Sequence, residues 1–489
     1  MLCPYCLHDL RLNPTETGGV SDCQCPRDEC GRDVALSYVH DYHRYPAAVL
    51  SLAGQAGHGK TCYLQGLFYE LQRVGARWRT FRYEPADEAS AAAVHEALLN
   101  LQRGELPDAT AVAVPEPIVL RLEGVPGVGR LQLLCYDNGG EVFTESPRLR
   151  HFAAYLTRTR VVVWLLSLGD VESPAQLLQM LTAYREAMHN LNTDPRAQSL
   201  VVVLAKGDEL ADAPDMPASM RAVLAEDGPP PDGYSWQALE QLSADVRAWL
   251  DGKCQHFNFV RGAEGTFAAV RYSLVSTRAA SPGGRGPGHE VMPRGVFTPL
   301  YWLARLQLPE VTVRAGALTQ TYFSLHEAVE KAPDGATVQL GPGTYRLAAP
   351  LQVRRPLALE GAGLGQTRIV CRSPGFVASV AVAGTFAVSG VAFVHEGGAP
   401  AQALLVSASR LEVRDCRFQG ARAGAGQKRA RGEGLRVVGH TTGFVRGCQA
   451  TGNEKCGIWI DDHACLDVED NTCTENSGAG ILYRAPGGG

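Results

Sequence analysis

The feature of the sequence that most constrains the fold is a glycine-rich stretch between an apolar segment and an amphipathic one. It has the pattern G-x-x-x-x-G-K-[ST], and its residues are Gly54, Gln55, Ala56, Gly57, His58, Gly59, Lys60 and Thr61. Glycines at such positions let backbone N–H groups turn inward and cradle phosphates at the start of a helix. The pattern predicts a buried strand over 47–53, a helix over 60–72 and a phosphate-binding loop between them.

Side chains at the end of this loop suit a nucleoside triphosphate with Mg²⁺. The Lys60 ammonium is predicted to contact the β- and γ-phosphates, and the Thr61 hydroxyl is predicted to ligate Mg²⁺. Cys62 follows directly and is included in the predicted nucleotide site. The alternative is a glycine-rich turn that binds no ligand.

A second segment indicates which nucleotide is bound. An apolar strand over 133–136 ends in the sequence D-x-x-G, from Asp137 to Gly140, which resembles the G3 motif of GTPases. The resemblance implies that Asp137 holds Mg²⁺ through a water molecule and that the Gly140 N–H bonds the γ-phosphate. Glu141 follows, where many GTPases have a Gln that positions the attacking water. A carboxylate there repels the γ-phosphate, so slow hydrolysis is expected, with acceleration by a partner or by self-association.

A third segment, A-K-G-D, follows the apolar run 201–204 and resembles the guanine-specificity motif [NT]-K-x-D. The resemblance implies that the Asp208 carboxylate accepts the N1–H and N2–H groups of guanine. It also implies that the stem of Lys206 packs on the base. Ala205 stands where the motif has Asn or Thr, so one polar anchor is missing. A surface Lys and Asp at the start of a loop is the alternative.

Two further residues complete the predicted nucleotide site. Thr110 precedes the second predicted strand, where GTPases carry a switch-I threonine that closes over Mg²⁺. Ser276 ends the last predicted strand, 267–276, where a G5 element backs the guanine; an ordinary strand end is the alternative. No arginine finger can be assigned among the arginines downstream of the D-x-x-G segment, which are Arg148, Arg150, Arg158 and Arg160.

Residues 46–310 alternate apolar, strand-like runs with longer amphipathic ones, which is typical of an α/β domain with a mostly parallel sheet. With the motifs above, this region resembles bacterial P-loop GTPases of the translation-factor-like (TRAFAC) class. More narrowly, it is similar to the double-GTPase-type domains of multidomain bacterial proteins in signalling or conflict systems. The resemblance implies GTP and GDP binding, slow Mg²⁺-dependent hydrolysis and use as a switch.

Five of the 14 cysteines lie in the first thirty residues. One C-x2-C pair and one C-x4-C pair are formed by Cys3, Cys6, Cys25 and Cys30. Four thiolates at such spacing can close a tetrahedral Zn²⁺ site, so residues 1–45 are predicted to be a zinc-ribbon-like module that folds with its metal. Cys23 is a competing ligand, and His8 is a substitute for one of the four. Free thiols in a disordered leader are the alternative.

Residues 311–489 are rich in Gly, Val, Asn, Asp and Thr, and they repeat with a period near 23 residues. Asn453 aligns with Asn476 in this repeat. Three short strands per turn of this length predict a right-handed parallel β-helix, similar to the pectate-lyase-like proteins, with ladders of aligned residues. Near the coil edges lie groups that could bind Ca²⁺ or act as acid and base, although turn geometry alone also favours Asp there: Asp461, Asp462, His463, Asp467, Glu469 and Asp470.

Composition restricts the function classes. The chain has 489 residues and a formal net charge of −5, which is small for this length and gives no reason to expect nucleic-acid binding. No apolar run approaches the ~20 residues of a membrane helix. No secretory signal is recognised, and the placement of the cysteines favours a reducing cytoplasm.

The sequence as a whole predicts a cytoplasmic GTP-dependent switch. Its zinc-ribbon and β-helix modules are expected to recognise a protein partner or a second copy of the chain. Two alternatives remain. One is a carbohydrate-binding or carbohydrate-active β-helix that is regulated by its nucleotide-binding domain. The other is a nucleotide-binding scaffold without turnover.

Overall fold

The structure is a computed structural model. It describes residues 2–8, 22–25, 27–28, 30–41, 45–103, 115–143, 145–167, 174–210, 213–253, 258–277, 292–347, 349–424, 431–461 and 463–484. Thr110 and Asp462 lie outside these ranges. The chain divides into two compact units, Met1–Leu308 and Pro309–Gly489.

The first unit begins with a small antiparallel ribbon and a short helix, which are β1 (Asp22–Gln24), β2 (Asp33–Ala35) and α1 (Leu36–Asp41). A seven-stranded sheet follows. Its strands are β3 (Ala47–Ala53), β4 (Arg82–Pro85), β5 (Ile118–Val125), β6 (Gly129–Asp137), β7 (Val161–Leu166), β8 (Ser199–Leu204) and β9 (Ala269–Leu274). The order across the sheet is β4-β5-β6-β3-β7-β8-β9.

The sheet is mostly parallel, as the sequence predicts. Strands β6, β3, β7, β8 and β9 run in one direction, while β5 is antiparallel to both β4 and β6. Every residue of β7 is buried, which is expected of a continuous apolar strand covered on both faces. Because the parallel strands end at one edge, the loops that follow them meet there.

Helices cover the two faces of this sheet. They are α2 (Lys60–Arg73), α3 (Glu88–Gln102), α4 (Ser146–Phe152), α5 (Pro174–Asn190), α6 (Ala218–Ala225), α7 (Trp236–Lys253), α8 (Phe259–Thr266) and α9 (Thr298–Gln307). The Gln307 side chain bonds both the N–H and the carbonyl of Val49 at 2.8 Å, which anchors α9 to β3. Within the described residues, no helix has the length and apolar character needed to cross a membrane.

The second unit is a parallel β-helix that starts with an antiparallel cap. The cap and first coil contain β10 (Val311–Ala315), β11 (Leu318–Tyr322), α10 (Leu325–Lys331), β12 (Ala336–Leu340), β13 (Gly343–Leu347), β14 (Leu351–Val353), β15 (Leu357–Glu360) and β16 (Thr367–Cys371). The later coils contain β17 (Gly375–Ser389), β18 (Ala392–His395), β19 (Ala401–Arg414), β20 (Arg417–Gln419), β21 (Leu435–Val437), β22 (Thr442–Arg446), β23 (Gln449–Thr451), β24 (Ile458–Ile460), β25 (Cys465–Glu469), β26 (Thr472–Thr474) and β27 (Ile481–Tyr483).

Coils stack in register, so equivalent residues form ladders. One aliphatic ladder runs through Leu359, Val388, Val413, Val445 and Val468. Each of these residues pairs with the next on a neighbouring parallel strand, which gives the unit a continuous apolar core. The long strands β17 and β19 each contribute to two faces of the coil, because they pair with different strands along their two halves.

The predicted asparagine ladder is present. The Asn453 side-chain amide donates to Asn476 Oδ1 at 2.8 Å across 23 residues, and Asn453 is 1% exposed. The preceding coil is longer, since Arg417 reaches its in-register neighbour Gln449 only after 32 residues. The extra length falls between β20 and β21.

Candidate functional site

The glycine-rich loop, residues 54–59, connects the end of β3 to the start of α2. Gly57 and Gly59 have φ angles of 83° and 84°, in the left-handed region that residues with a Cβ rarely adopt. Gly59 is the residue directly before the first turn of α2. These angles explain why glycine occupies both positions, and the loop joins a strand to a helix as the sequence predicts.

Lys60 is held inside this loop. Its Nζ donates to the carbonyl oxygens of Gly54 at 2.8 Å and Gln55 at 2.9 Å. The residue is only 5% exposed. Burial lowers the pKa of Lys60 to about 8, and the negative charge of Asp137 opposes that shift. The ammonium is therefore partly desolvated at the mouth of the loop, where its charge acts more strongly than it would in water.

Thr61 and Asp137, the two described residues predicted to bind Mg²⁺, lie side by side. The Thr61 hydroxyl donates to Asp137 Oδ2 at 2.7 Å across 76 residues of chain. The contact arises because β6 runs parallel to β3, and Leu52 pairs with Asp137 at the end of both strands. A hydroxyl and a carboxylate are both oxygen donors of the kind that Mg²⁺ prefers.

Gly140 brings the D-x-x-G segment against the glycine-rich loop. It begins a short 3₁₀ helix, Gly140–Phe143, and is buried. A Cβ placed on Gly140 would meet the backbone of Gln55 and Ala56 well inside 3.0 Å, a separation that real Cβ atoms do not show. Glycine is therefore required for the close approach of these two predicted phosphate-binding segments.

A buried network that was not predicted lies beneath the site. The Asn138 side chain donates to the carbonyl of Leu52 at 3.1 Å and to the hydroxyl of Tyr155 at 2.5 Å. The same hydroxyl lies 3.2 Å from Ser51 Oγ. Burial raises the pKa of Tyr155, so its hydroxyl stays protonated. The only sequence signal for this network is Asn138, a polar residue that directly follows the buried strand β6.

His58 anchors the glycine-rich loop to β7. Its Nδ1 lies 3.1 Å from the Gln55 backbone nitrogen and 2.9 Å from the Leu165 carbonyl oxygen, and the residue is buried. The sequence predicts His58 only as a member of the loop. An imidazole among the small residues of such a loop is the signal for this anchoring role.

Glu141 has a partner that the sequence does not indicate. Its carboxylate lies 3.2 Å from Arg148 Nη1, and both side chains are exposed. Arg148 lies in α4 and also approaches Glu145 at 3.8 Å. The negative charge of Glu141, which follows the D-x-x-G segment, is thus partly neutralised by the Arg148 guanidinium.

The predicted base-recognition residues also come together. Ser276 Oγ donates to Asp208 Oδ1 at 2.6 Å, and Gly207 N donates to the carbonyl of Val275 at 3.0 Å. Lys206 is exposed and has a φ of 57°. A Cβ placed on Gly59 would lie 3.9 Å from Ala205 Cβ, so this segment adjoins the start of α2.

The other predicted members of the nucleotide site are peripheral to these contacts or are not described. Ala56 is exposed at the tip of the loop. Cys62 is half-buried in the first turn of α2. Thr110 lies outside the described residues, so its predicted switch role stays a prediction.

The N-terminal thiols form a second candidate site. The Sγ atoms of Cys3, Cys6, Cys25 and Cys30, called the cysteine cluster below, all lie within 4.8 Å of one another. The Cys3–Cys30 and Cys6–Cys25 Sγ distances are 3.9 Å and 4.0 Å. Tetrahedral Zn²⁺ with Zn–S bonds of about 2.3 Å requires sulfur atoms about 3.8 Å apart, so the donor set fits zinc.

The cysteine cluster packs on the large sheet. Cys3, Leu7 and Cys25 belong to the same hydrophobic core as Tyr136 on β6. Cys23, a competing ligand in the sequence analysis, lies in β1, and its side chain is not described. His8 is not a member of the cysteine cluster, which consists of thiols alone.

The acidic residues of the β-helix are mostly engaged in ion pairs or turns. Asp461 pairs with Arg436 at 2.8 Å, and Glu469 pairs with Arg446 at 3.1 Å. Asp470 has a φ of 55°, a conformation typical of Asp at a turn. These contacts favour the structural interpretation of the acidic residues over a catalytic carboxylate pair.

Comparison with known proteins identifies one part of the chain. Residues 381–486 match the family described as right-handed β-helix region. This stretch covers the later coils of the second unit. No similar curated protein was found. The chain is thus a mixed α/β protein with parallel sheets, whose C-terminal unit contains a right-handed β-helix region.

Proposed function

We propose that the first unit binds GTP with Mg²⁺ at the loop between β3 and α2, and hydrolyses it slowly. The observation that carries the proposal is the 2.7 Å hydrogen bond between Thr61 and Asp137. It joins two motifs that are distant in the chain, beside a buried lysine and at the edge of the sheet where ligands of α/β folds bind.

We assign a task to each residue of this proposed site. The Thr61 hydroxyl and the Asp137 carboxylate would hold Mg²⁺, which when bound neutralises charge on the β- and γ-phosphates. Lys60 would direct its ammonium toward the same phosphates, in exchange for its present carbonyl partners. The Gly140 N–H, held against the loop, would bond the γ-phosphate and thereby distinguish GTP from GDP.

Guanine is favoured as the base because of Asp208. Its carboxylate is fixed by Ser276 at 2.6 Å, and an acceptor pair of this kind suits the adjacent N1–H and N2–H donors of guanine. Adenine offers no such pair. Ala205 lacks the polar side chain of the related motif, so discrimination against ATP is expected to be weaker than in GTPases that retain it.

Slow turnover follows from the residue after the D-x-x-G segment. The Glu141 carboxylate would lie near the γ-phosphate, where like charges repel. Its ion pair with Arg148 would reduce this repulsion and would also occupy a carboxylate oxygen that could otherwise orient an attacking water. A partner that displaces Arg148 would change the rate.

The test of this proposal is phosphate release from GTP by the full chain. Lys60→Ala and Thr61→Ala should each abolish Mg²⁺-dependent turnover. Thr182→Ala is a matched control, because Thr182 is an exposed threonine whose hydroxyl donates to the Leu178 carbonyl of its own helix. Turnover that survives both Lys60→Ala and Thr61→Ala would overturn the assignment.

We further propose that the cysteine cluster binds structural Zn²⁺ and that the β-helix recognises a partner. A carbohydrate ligand is the second candidate, since the match to a right-handed β-helix region is compatible with carbohydrate binding. Retention on immobilised acidic polysaccharide that is insensitive to Lys60→Ala would favour the carbohydrate function. Absence of retention would favour a protein partner or a second copy.

A further inference from the structure

The cysteine cluster is connected to the strand that carries Asp137. Pro4 lies between the first two cysteines, and its carbonyl accepts a hydrogen bond from the Tyr136 hydroxyl. Tyr136 is 1% exposed and directly precedes Asp137 in β6. The bond therefore joins the backbone of the cluster to the end of β6.

The Tyr136 ring continues the connection toward the glycine-rich loop. It stacks on Tyr155 with ring centroids 4.8 Å apart and an interplanar angle of 27°. The Tyr155 hydroxyl accepts a hydrogen bond from the Asn138 side-chain amide at 2.5 Å and lies 3.2 Å from Ser51 Oγ on β3. Asp137 thus lies between two residues, Tyr136 and Asn138, that belong to one buried network.

A second contact reaches the same turn of the cysteine cluster. Arg158 Nη1 donates to the carbonyl of Cys6 at 3.2 Å. Arg158 ends the short 3₁₀ helix, Ala154–Arg158, that also carries Tyr155. The backbone of the C-x2-C turn is therefore bonded both to β6 and to the helix beneath the D-x-x-G segment. A metal held by Cys3 and Cys6 would fix this turn.

We propose that Tyr136 is a positioning residue that couples metal binding at the cysteine cluster to nucleotide binding at Thr61 and Asp137. This inference rests on the proposed function, since it assumes the GTP site and the Zn²⁺ site. Metal at the cluster fixes the Pro4 carbonyl, which holds the Tyr136 hydroxyl and so the position of the adjoining Asp137 carboxylate. The cluster is then a support for the nucleotide site rather than only a docking module.

The coupling is reciprocal, because two sites that share one energetic link must affect each other's affinity equally. Loss of a single buried hydrogen bond changes an equilibrium by roughly fivefold. We therefore expect Mg²⁺ with a non-hydrolysable GTP analogue to raise the zinc affinity of the wild-type chain by about fivefold. Zinc should raise the affinity for the analogue by the same factor.

Tyr136→Phe tests the link because it removes only the hydroxyl. Tyr301→Phe is the matched control: Tyr301 is also buried in the first unit, and its hydroxyl also donates to a proline carbonyl, Pro126, at 2.8 Å. Zinc affinity is measured on the full chain by competition with a chromophoric chelator, with and without the analogue. Calorimetry reports the nucleotide affinity of each variant separately.

The coupling factor should fall to about one in Tyr136→Phe and remain about fivefold in Tyr301→Phe. Arg158→Ala, at an exposed position, should lower the factor in the same direction and serves as a second variant. Equal factors in all of these proteins, or a wild-type factor of one despite nucleotide binding, would overturn the coupling alone. Absence of nucleotide binding by the wild-type chain would overturn the proposed function as well.

Discussion

Gly140→Ala is the substitution whose effect follows most directly from the geometry. The added Cβ would meet the backbone nitrogen and Cα of Ala56 and the carbonyl carbon of Gln55 well inside 3.0 Å. No flexible side chain can yield there, so either the D-x-x-G segment or the glycine-rich loop must move by about 1 Å or more. Overpacking of this kind costs about 1–3 kcal/mol of folding free energy.

The larger effect of Gly140→Ala is on turnover. Displacement by about 1 Å of groups that position a substrate costs on the order of a hundredfold in reaction rate. We expect the kcat/KM of Mg²⁺-dependent GTP hydrolysis to fall by about that factor, while circular dichroism shows a folded chain.

Gly252→Ala provides the control for Gly140→Ala. Gly252 lies in α7, and a Cβ placed on it would meet nothing within 4 Å. This variant should hydrolyse GTP as the wild type does. The reasoning is refuted if Gly140→Ala is folded and its kcat/KM lies within about threefold of the control, since a displacement of about 1 Å should cost far more in rate.

Three further predictions follow from other parts of the structure. Burial lowers the pKa of Lys60 to about 8, so above that pH the ammonium must regain its proton on binding. GTP affinity should therefore fall by up to about tenfold per pH unit as pH rises above 8, and calorimetry in buffers of different ionisation enthalpy should show proton uptake on binding. An affinity that does not change with pH would contradict a desolvated Lys60 ammonium. Asn453→Ala removes the side chain that bonds the buried Ala421 N–H and Phe418 carbonyl, so the amides of the neighbouring coils should lose roughly a hundredfold of their hydrogen-exchange protection. The surface control Thr474→Ala should change this protection little. Metal analysis should find one Zn²⁺ per chain in the wild type and in the control Cys465→Ser, and none in Cys3→Ser. Equal metal content in the two variants would argue against the cysteine cluster as the binding site.

The sequence predicted those helices, strands and loops whose local sequence pattern is sufficient to specify them. The glycine-rich loop between an apolar run and a helix was recognised because it is encoded within a few residues. Strand β4 was not predicted, since its sequence Arg-Tyr-Glu-Pro has no apolar run and, among the described strands, it pairs with β5 alone. The asparagine ladder was predictable because the repeat itself fixes which residues stack.

In the candidate site, too, contacts that depend on tertiary packing could not be predicted from local sequence patterns. The two motifs assigned Thr61 and Asp137 to one Mg²⁺ site, and the structure places these residues side by side, although their direct hydrogen bond was not predicted. The Tyr136–Pro4 bond was not predicted either, since it joins residues 132 positions apart and depends on how the N-terminal segment packs on the sheet. His58 and Arg148 likewise act through tertiary contacts that no local pattern specifies.

The central claim, a GTP site formed by the glycine-rich loop and completed by Asp208, is tested most directly by calorimetry of the full chain with GTP, GDP and ATP in the presence of Mg²⁺. The wild type should bind GTP and GDP more tightly than ATP. Asp208→Asn should weaken guanine nucleotides and leave ATP binding unchanged, and Lys60→Ala should abolish all three. ATP bound more tightly than GTP by the wild type would contradict the account.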